Sequence, residues 1–331
     1  MEKLKKGPIS ISEVVRSRSI VRRFVRPTQL LHYEGLSRLI GAEVYVKHEN
    51  HNPTGTFKIR GGINQMYHLK QKGVKGVITY STGNHGLSVA TAAKWFGLSA
   101  VIVVPENNNP VKNRAIRESG AELVEAGATF EEASAKVDQL CQERSLYYAH
   151  PANDPLLING VGTEFLEIIE DLPDIDVMFV PLGAGSEAAA AITALRAFRQ
   201  DIEIIAVQAK SSPAAYNSWR NKEICHAPNT TFAGGFATGK AYELPFRIYK
   251  EGLDDFVLIT EDEIYDAMGL AFYYTHNIAE GAGAATIMAA YKLRERLKGK
   301  KLVLQMSGCN ASPDEIIEAS KRDAFKKGII E

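Results

Sequence analysis

Short runs of β-branched and aliphatic residues recur along the chain at Val44–Val46, Val77–Tyr80, Ala100–Val104, Val177–Val180, Ile202–Gln208, Phe256–Ile259 and Leu302–Gln305. Most are apolar at successive positions, as in strands buried on both faces, and longer stretches of helical spacing separate them. Strands alternating with helices predict an α/β chain whose parallel strands are joined by crossover helices. Thr260 with Glu263, and Ser312 with Pro313 and Glu315, set a capping hydroxyl three residues before a carboxylate and so mark two helix starts. Gly97 and Gly120 fall where a helix ending in a left-handed residue requires glycine, predicting helices over His85–Phe96 and Pro110–Ser119. From Gly76 to Tyr148 the pattern runs through four strands and three helices, enough for a small mobile lobe over 76–148. Residues 1–75 and 149–331 would then make a larger, discontinuous lobe, with a cleft between the two. No internal repeat, low-complexity segment or long Pro- or Ser-rich linker interrupts this organisation.

Composition narrows the partners. The 331 residues include 45% hydrophobic and 24% charged side chains, with 39 Lys and Arg balanced by 39 Asp and Glu. That balance gives a phosphate backbone little to bind, so no nucleic-acid partner is expected. The one basic cluster, Arg16, Arg18, Arg22, Arg23 and Arg26, reads as a solvated or interface helix face. Cys141, Cys225 and Cys309 are odd in number, widely spaced and in no metal-ligand pattern, which fits a reducing cytoplasm. Met1–Val15 is charged without the apolar run of a signal peptide, and no segment reaches the ~18 apolar residues of a membrane span, so no membrane association is expected.

Three turns carry candidate chemistry because each presents backbone N–H groups where a helix begins. Gly183-Ala184-Gly185-Ser186 follows an apolar strand, and its small residues admit a phosphate close to the backbone while Ser186 adds a hydroxyl. A tight strand-to-helix connection has the same composition, and a dinucleotide site would need a full Gly-x-Gly-x-x-Gly and an acidic ribose partner. Ser81-Thr82-Gly83-Asn84-His85-Gly86 opens a helix with hydroxyl and amide groups suited to a carboxylate; it serves equally as an N-capping loop. In His51-Asn52-Pro53-Thr54-Gly55-Thr56-Phe57-Lys58-Ile59-Arg60-Gly61-Gly62 a lysine opens a helix, where the dipole disfavours positive charge. With partial burial that setting lowers an amine pKa, as a Schiff-base lysine requires, although a surface lysine can occupy the same place.

In this order the turns resemble the fold-type-II pyridoxal-phosphate enzymes, of tryptophan-synthase-β-like fold, and within them the threonine/serine dehydratase and serine racemase group. The resemblance spans nearly the whole chain and rests most on Thr56-Phe57-Lys58-Ile59-Arg60-Gly61, then on Ser81–His85, then on Ser307-Gly308-Cys309-Asn310 after the last strand. It implies two open, twisted, mostly parallel sheets flanked by helices, and pyridoxal 5'-phosphate as cofactor, bound by the larger lobe. It also implies that Lys58 carries the cofactor next to Phe57, that Gly183, Ala184, Gly185 and Ser186 hold its phosphate, and that Asn84 reaches the ring 3′-oxygen. Ser307 would face the pyridine nitrogen and Glu280 would lie near the ring. A neutral hydroxyl at that nitrogen makes the ring a weaker electron sink and favours prompt β-elimination. Ser81, Thr82, Gly83, Asn84 and His85 would grip the substrate carboxylate while Lys58, freed by the substrate amine, removes the Cα proton. Loss of the β-hydroxyl and hydrolysis then give a 2-oxo acid and ammonia.

Departures from the family pattern mark what is particular to this chain. Ala184 and Ser186 stand in a turn often richer in glycine, Cys309 replaces a common glycine as a small structural residue, and Gly281 follows Glu280 where many members have proline. Gln208–Ala214 lacks the carboxylates with which some relatives bind a divalent cation, so no metal is expected there. Thr82 stands where racemases place a serine acid/base, and its hydroxyl leaves some racemisation open. The favoured reading is a threonine/serine ammonia-lyase, expected to lack a C-terminal regulatory domain and to assemble as a homodimer or homotetramer. A racemase, a 3-hydroxyaspartate dehydratase and a β-replacement enzyme are the alternatives with the same cofactor. From other classes, a silent binding module conflicts with the retention of Lys58, Asn84 and Ser307, and an oxidoreductase lacks its ribose carboxylate.

Overall fold

The structure, a computed structural model, describes residues 8–106, 108, 110–127 and 130–330. The beginning of the charged N-terminal stretch, through Gly7, lies outside the described residues. The strands are β1 (Leu30–His32), β2 (Glu43–His48), β3 (Gly76–Tyr80), β4 (Ser99–Val104), β5 (Glu122–Glu125), β6 (Tyr147–Tyr148), β7 (Val177–Pro181), β8 (Glu203–Ala209), β9 (Asp255–Ile259) and β10 (Lys301–Met306). They form one six-stranded sheet in the order β1-β2-β10-β7-β8-β9 and one four-stranded sheet in the order β5-β4-β3-β6. Every pairing is parallel except that of β1 with β2. This is the α/β fold with two mostly parallel sheets expected from the sequence.

Two compact units result. Among the described residues, one comprises those through Arg26 together with Lys58–Thr163, and the other Pro27–Phe57 together with those from Glu164 onward. All four strands of the smaller sheet lie between Gly76 and Tyr148, the limits drawn for the small lobe. The unit around them also takes in 58–75 and 149–163, because the helix Lys58–Gln71 packs on the helices Asn84–Phe96 and Pro155–Val161. Glycine makes those crossings close. A Cβ added to Gly62 would stand 2.5 Å from Ser88 Oγ, and one added to Gly160 would stand 2.6 Å from the Arg60 carbonyl oxygen.

The absence of strict alternation in the strands has a direct cause. In the first unit Val77 and Ile102 enter a core with Ile59, Ile63 and Ala93, whereas Ile78, Val101 and Val103 on the opposite face meet Val137 and Leu140. In the second unit Val44, Val46, Phe179, Val207, Leu302 and Leu304 share one core with the helix Gly281–Lys292. The intervening positions, including Lys47, Met178, Val303 and Gln305, are buried on the other face.

The predicted helix limits hold to within a residue, at Asn84–Phe96 and Pro110–Glu118. Gly97 and Gly120 both take positive φ, +63° and +92°. Thr260/Glu263 and Ser312/Glu315 are both complete capping boxes. Among the described residues no helix is long and apolar enough to cross a membrane.

Candidate active site

Lys58 is the first residue of its helix, with no acidic residue in the first turn. Its carbonyl accepts a hydrogen bond from Ser88 Oγ at 2.7 Å, which ties the start of this helix to the one that follows the hydroxyl-rich loop. In that loop Ser81 Oγ accepts from the N–H groups of Gly83 (3.3 Å) and Gly86 (2.9 Å), so this hydroxyl caps the helix Asn84–Phe96. Thr82 is exposed, and its hydroxyl bonds to none of the described residues. His85 points its ring inward, with Nε2 3.0 Å from the Ala149 carbonyl. A carbonyl only accepts, so Nε2 carries the proton. Burial, with the Lys58 charge nearby as a smaller influence, holds the imidazole neutral at a pKa of about 3. The His85 side chain is therefore tied to the interior, leaving its main chain as the part suited to a ligand.

The other predicted residues belong to the second unit. The turn after β7 passes through Gly183, Ala184 and Gly185 into the helix Ser186–Leu195. Gly185, at φ +88°, is its N-cap and contributes no capping side chain. A Cβ on Gly183 would stand 1.9 Å from the Gly235 carbonyl oxygen, so only glycine permits this approach of two backbones. Ser307, directly after β10, is 4% exposed and receives the Phe57 N–H on its carbonyl at 3.1 Å. The Ser307 hydroxyl has no hydrogen-bond partner among the described residues. Glu280 caps the helix Gly281–Lys292 and donates its N–H to Gly308 O at 3.1 Å. A Cβ on Gly308 would meet Glu280 Oε1 at 2.3 Å. Burial first, and the Glu280 charge second, push the Cys309 thiol up, away from reactive thiolate.

One group of buried polar residues lies outside the set predicted from sequence. Lys47 and Glu167 form an ion pair at 2.8 Å, with their side chains 0% and 2% exposed. Thr28 binds both Glu167 and Glu49, and Asn52 binds Glu49. The signal was present in Val44-Tyr45-Val46-Lys47-His48-Glu49, where charges continue a strand that is otherwise buried. In the Gln208–Ala214 segment, where no metal is expected, Gln208 Oε1 accepts from Tyr216 N at 3.1 Å. Among the described residues no group of three or more His, Cys, Asp or Glu side chains could hold a metal ion.

Residues 21–308 match the profile of the pyridoxal-phosphate-dependent enzyme family, and the chain belongs to that family. Its particular relatives are consistent with one another. It is 34% identical to an L-threonine ammonia-lyase of Thermotoga maritima, over 97% of this chain and 80% of that protein. It is 37% identical to an L-threonine ammonia-lyase of Geobacter sulfurreducens, over 93% and 77%. Among solved structures it resembles maize serine racemase, with a TM-score of 0.89 and 25% identity over 97% of this chain and 99% of that one. It also resembles the processed threonine deaminase isoform 2 of Solanum lycopersicum, with a TM-score of 0.88 and 29% identity over 96% and 95%.

The residues fit the family's cofactor. A phosphate dianion suits a helix N-terminus whose N-cap brings no side chain and whose approach is lined by glycine backbone. A pyridine nitrogen suits the unpartnered hydroxyl of Ser307, since either can complete the other's hydrogen bonding without a net charge.

Proposed function

We propose that this chain is a threonine/serine dehydratase, an ammonia-lyase that eliminates water from a small β-hydroxy amino acid and yields a 2-oxo acid and ammonia. The observation that carries this reading is the neutral, unpartnered hydroxyl of Ser307 at the end of β10. The names of the relatives, L-threonine ammonia-lyase and threonine deaminase, support the same substrate class. Pyridoxal phosphate, when bound, supplies the electron sink that makes a Cα proton removable. The remaining work falls to this chain's own residues. Lys58 Nζ would hold the cofactor covalently and serve as the base for the Cα proton. Phe57 would line the ring beside it. The backbone of Gly183, Ala184, Gly185 and Ser186 would bind the phosphate, Asn84 the ring oxygen and Ser307 Oγ the ring nitrogen, with Glu280 near the ring. The N–H groups and hydroxyls of Ser81–His85 orient the substrate carboxylate. We also propose 76–148 as the small lobe, a cytoplasmic location, and a homodimer or homotetramer, in keeping with three cysteines that are all free.

A second reading, racemisation, is favoured by one specific observation, the exposed hydroxyl of Thr82. Incubating the holoenzyme with L-threonine and L-serine separates the two. Formation of 2-oxo acid and ammonia, absent in Lys58→Ala, supports the lyase. D-serine without 2-oxo acid would replace the lyase by a racemase, and neither product would overturn both.

A further inference from the structure

We propose that Glu49 is a positioning residue for Lys58, holding the arm Glu49–Phe57 from beneath. This rests on the reading of Lys58 as the covalent carrier. Glu49 is 0% exposed. One carboxylate oxygen accepts from Thr28 Oγ1 at 2.5 Å and the other from Asn52 Nδ2 at 2.7 Å, while its main-chain oxygen accepts from the same Asn52 amide at 3.0 Å. From Asn52 the order continues outward. Asn52 O accepts Gly55 N at 2.7 Å, closing a turn in which Gly55 takes φ +68°. Gly55 O accepts Cys309 N at 2.9 Å, Thr54 O accepts Asn310 Nδ2 at 2.9 Å, and Thr56 bridges Gly308. Phe57 N then donates to Ser307 O, one residue before the lysine.

Thr28 itself is fixed from the other side. Its carbonyl accepts from Lys47 Nζ at 2.8 Å, and its N–H donates to Glu167 Oε2 at 3.3 Å. Two buried glutamates and one buried lysine add little net stability, because apolar replacements of buried ion pairs are often as stable or more so. What such a network supplies is a single geometry. A covalent carrier that must also act as a base needs that geometry, since a misplacement of about 1 Å can cost on the order of 100-fold in rate.

The test uses the holoenzyme of Glu49→Gln and of the milder, near-isosteric Thr28→Val, which deletes one donor. Four quantities are read: amide hydrogen exchange over 50–57, the pH midpoint of the cofactor absorbance band, kcat and KM. The expected result is exchange at Gly55–Phe57 faster by about tenfold or more, a displaced band midpoint, and kcat lower by about 10- to 100-fold with KM within about twofold. Unchanged exchange and band midpoint in Thr28→Val, or a kcat per folded molecule equal to that of the parent, would overturn the proposal even if Glu49→Gln fails to fold. Failure of the underlying reading looks different: borohydride would fix the cofactor to a lysine other than Lys58 in the parent enzyme.

Discussion

Between Glu49 and Phe57 the backbone is bonded at almost every step, inward to Glu49 and outward to the Ser307–Asn310 segment. Between Ser81 and His85 the pattern is sparser. Ser81 Oγ gathers two N–H groups, Thr82 stands exposed, and a Cβ placed on Gly83 would meet nothing within 4 Å. The first segment leads into the lysine proposed to carry the cofactor between turnovers and to act as the base within each one, and its position must not vary. The second is proposed to grip a substrate that arrives and leaves, and open space beside the exposed Thr82 hydroxyl suits that task. The same contrast holds among glycines. Gly183 is clamped against Gly235 O, whereas Gly83 has room.

The largest effect that sharpens this contrast belongs to the rigid segment. Lys58→Ala should lower 2-oxo acid formation by about 10³-fold or more, as removal of a covalent group that is also the base requires, and should abolish the lysine-linked absorbance band. Far-ultraviolet circular dichroism should match the parent, because Lys58 is a partly exposed first residue of its helix. Retained activity would remove Lys58 from the reaction. Next comes Gly183→Ala. Its new methyl would lie 1.9 Å from backbone that cannot swing aside, so the turn must shift. Overpacking of this kind typically costs about 1–3 kcal/mol, and cofactor retention on dialysis should fall with it. A variant that binds pyridoxal phosphate as tightly as the parent would show that the turn does not hold the phosphate.

Much of this was legible in the sequence where local chemistry decides structure. Uninterrupted apolar runs marked the central strands, and Thr260, Glu263, Ser312 and Glu315 marked helix starts because capping is a matter of three or four adjacent residues. What was not legible depends on residues far apart in the chain. β1 has three residues, Leu30–His32, two of them exposed, and becomes a strand only by pairing antiparallel with β2. Gly61 and Gly62 stand in the sequence as the end of a motif, but their physical reason is the tight packing of one helix against two others, which also draws 58–75 and 149–163 into the first unit. The Lys47–Glu167 pair spans 120 positions and could not be inferred from either residue alone. At the site, the glycine turn and the lysine were visible as types, whereas the inward turn of His85 follows from the position of Ala149 O.

Each unit also buries one neutral histidine, and acid should expose both. Burial is the first cause in each case, holding His85 at about 3 and His48 at about 4, both below the ordinary value of 6.5. The unfolded chain binds these protons below about pH 6.5 while the folded chain does not, so unfolding takes up protons and stability falls as pH drops from 6.5 toward 4. Between about pH 7 and about pH 5 each histidine should remove up to about 2 kcal/mol from the unfolding free energy. Urea midpoints at the two pH values measure the loss. His85→Gln, which can still donate to Ala149 O, and His48→Asn, which can still donate to Asn50, should each flatten it by one histidine's share. An unchanged pH dependence in both variants would mean that neither imidazole is kept neutral by folding.

The smallest effects test the sparser loop. Ser81→Ala removes the acceptor for two N–H groups and should destabilise the enzyme by about 1 kcal/mol, with a raised KM as the helix start loosens. Thr82→Ala removes a hydroxyl that bonds to none of the described residues, so thermal stability should stay within about 0.5 kcal/mol of the parent. Chiral analysis of the unreacted serine then becomes the informative measurement. If Thr82 is the opposite-face acid, D-serine formation should disappear from the variant while 2-oxo acid formation persists, because elimination draws its base from Lys58. If D-serine forms equally in both enzymes, the proton comes from elsewhere and the loop serves the carboxylate alone. If 2-oxo acid falls as steeply as in Lys58→Ala, the loop takes as direct a part in the chemistry as the arm does, and the contrast between a fixed and an adaptable segment fails.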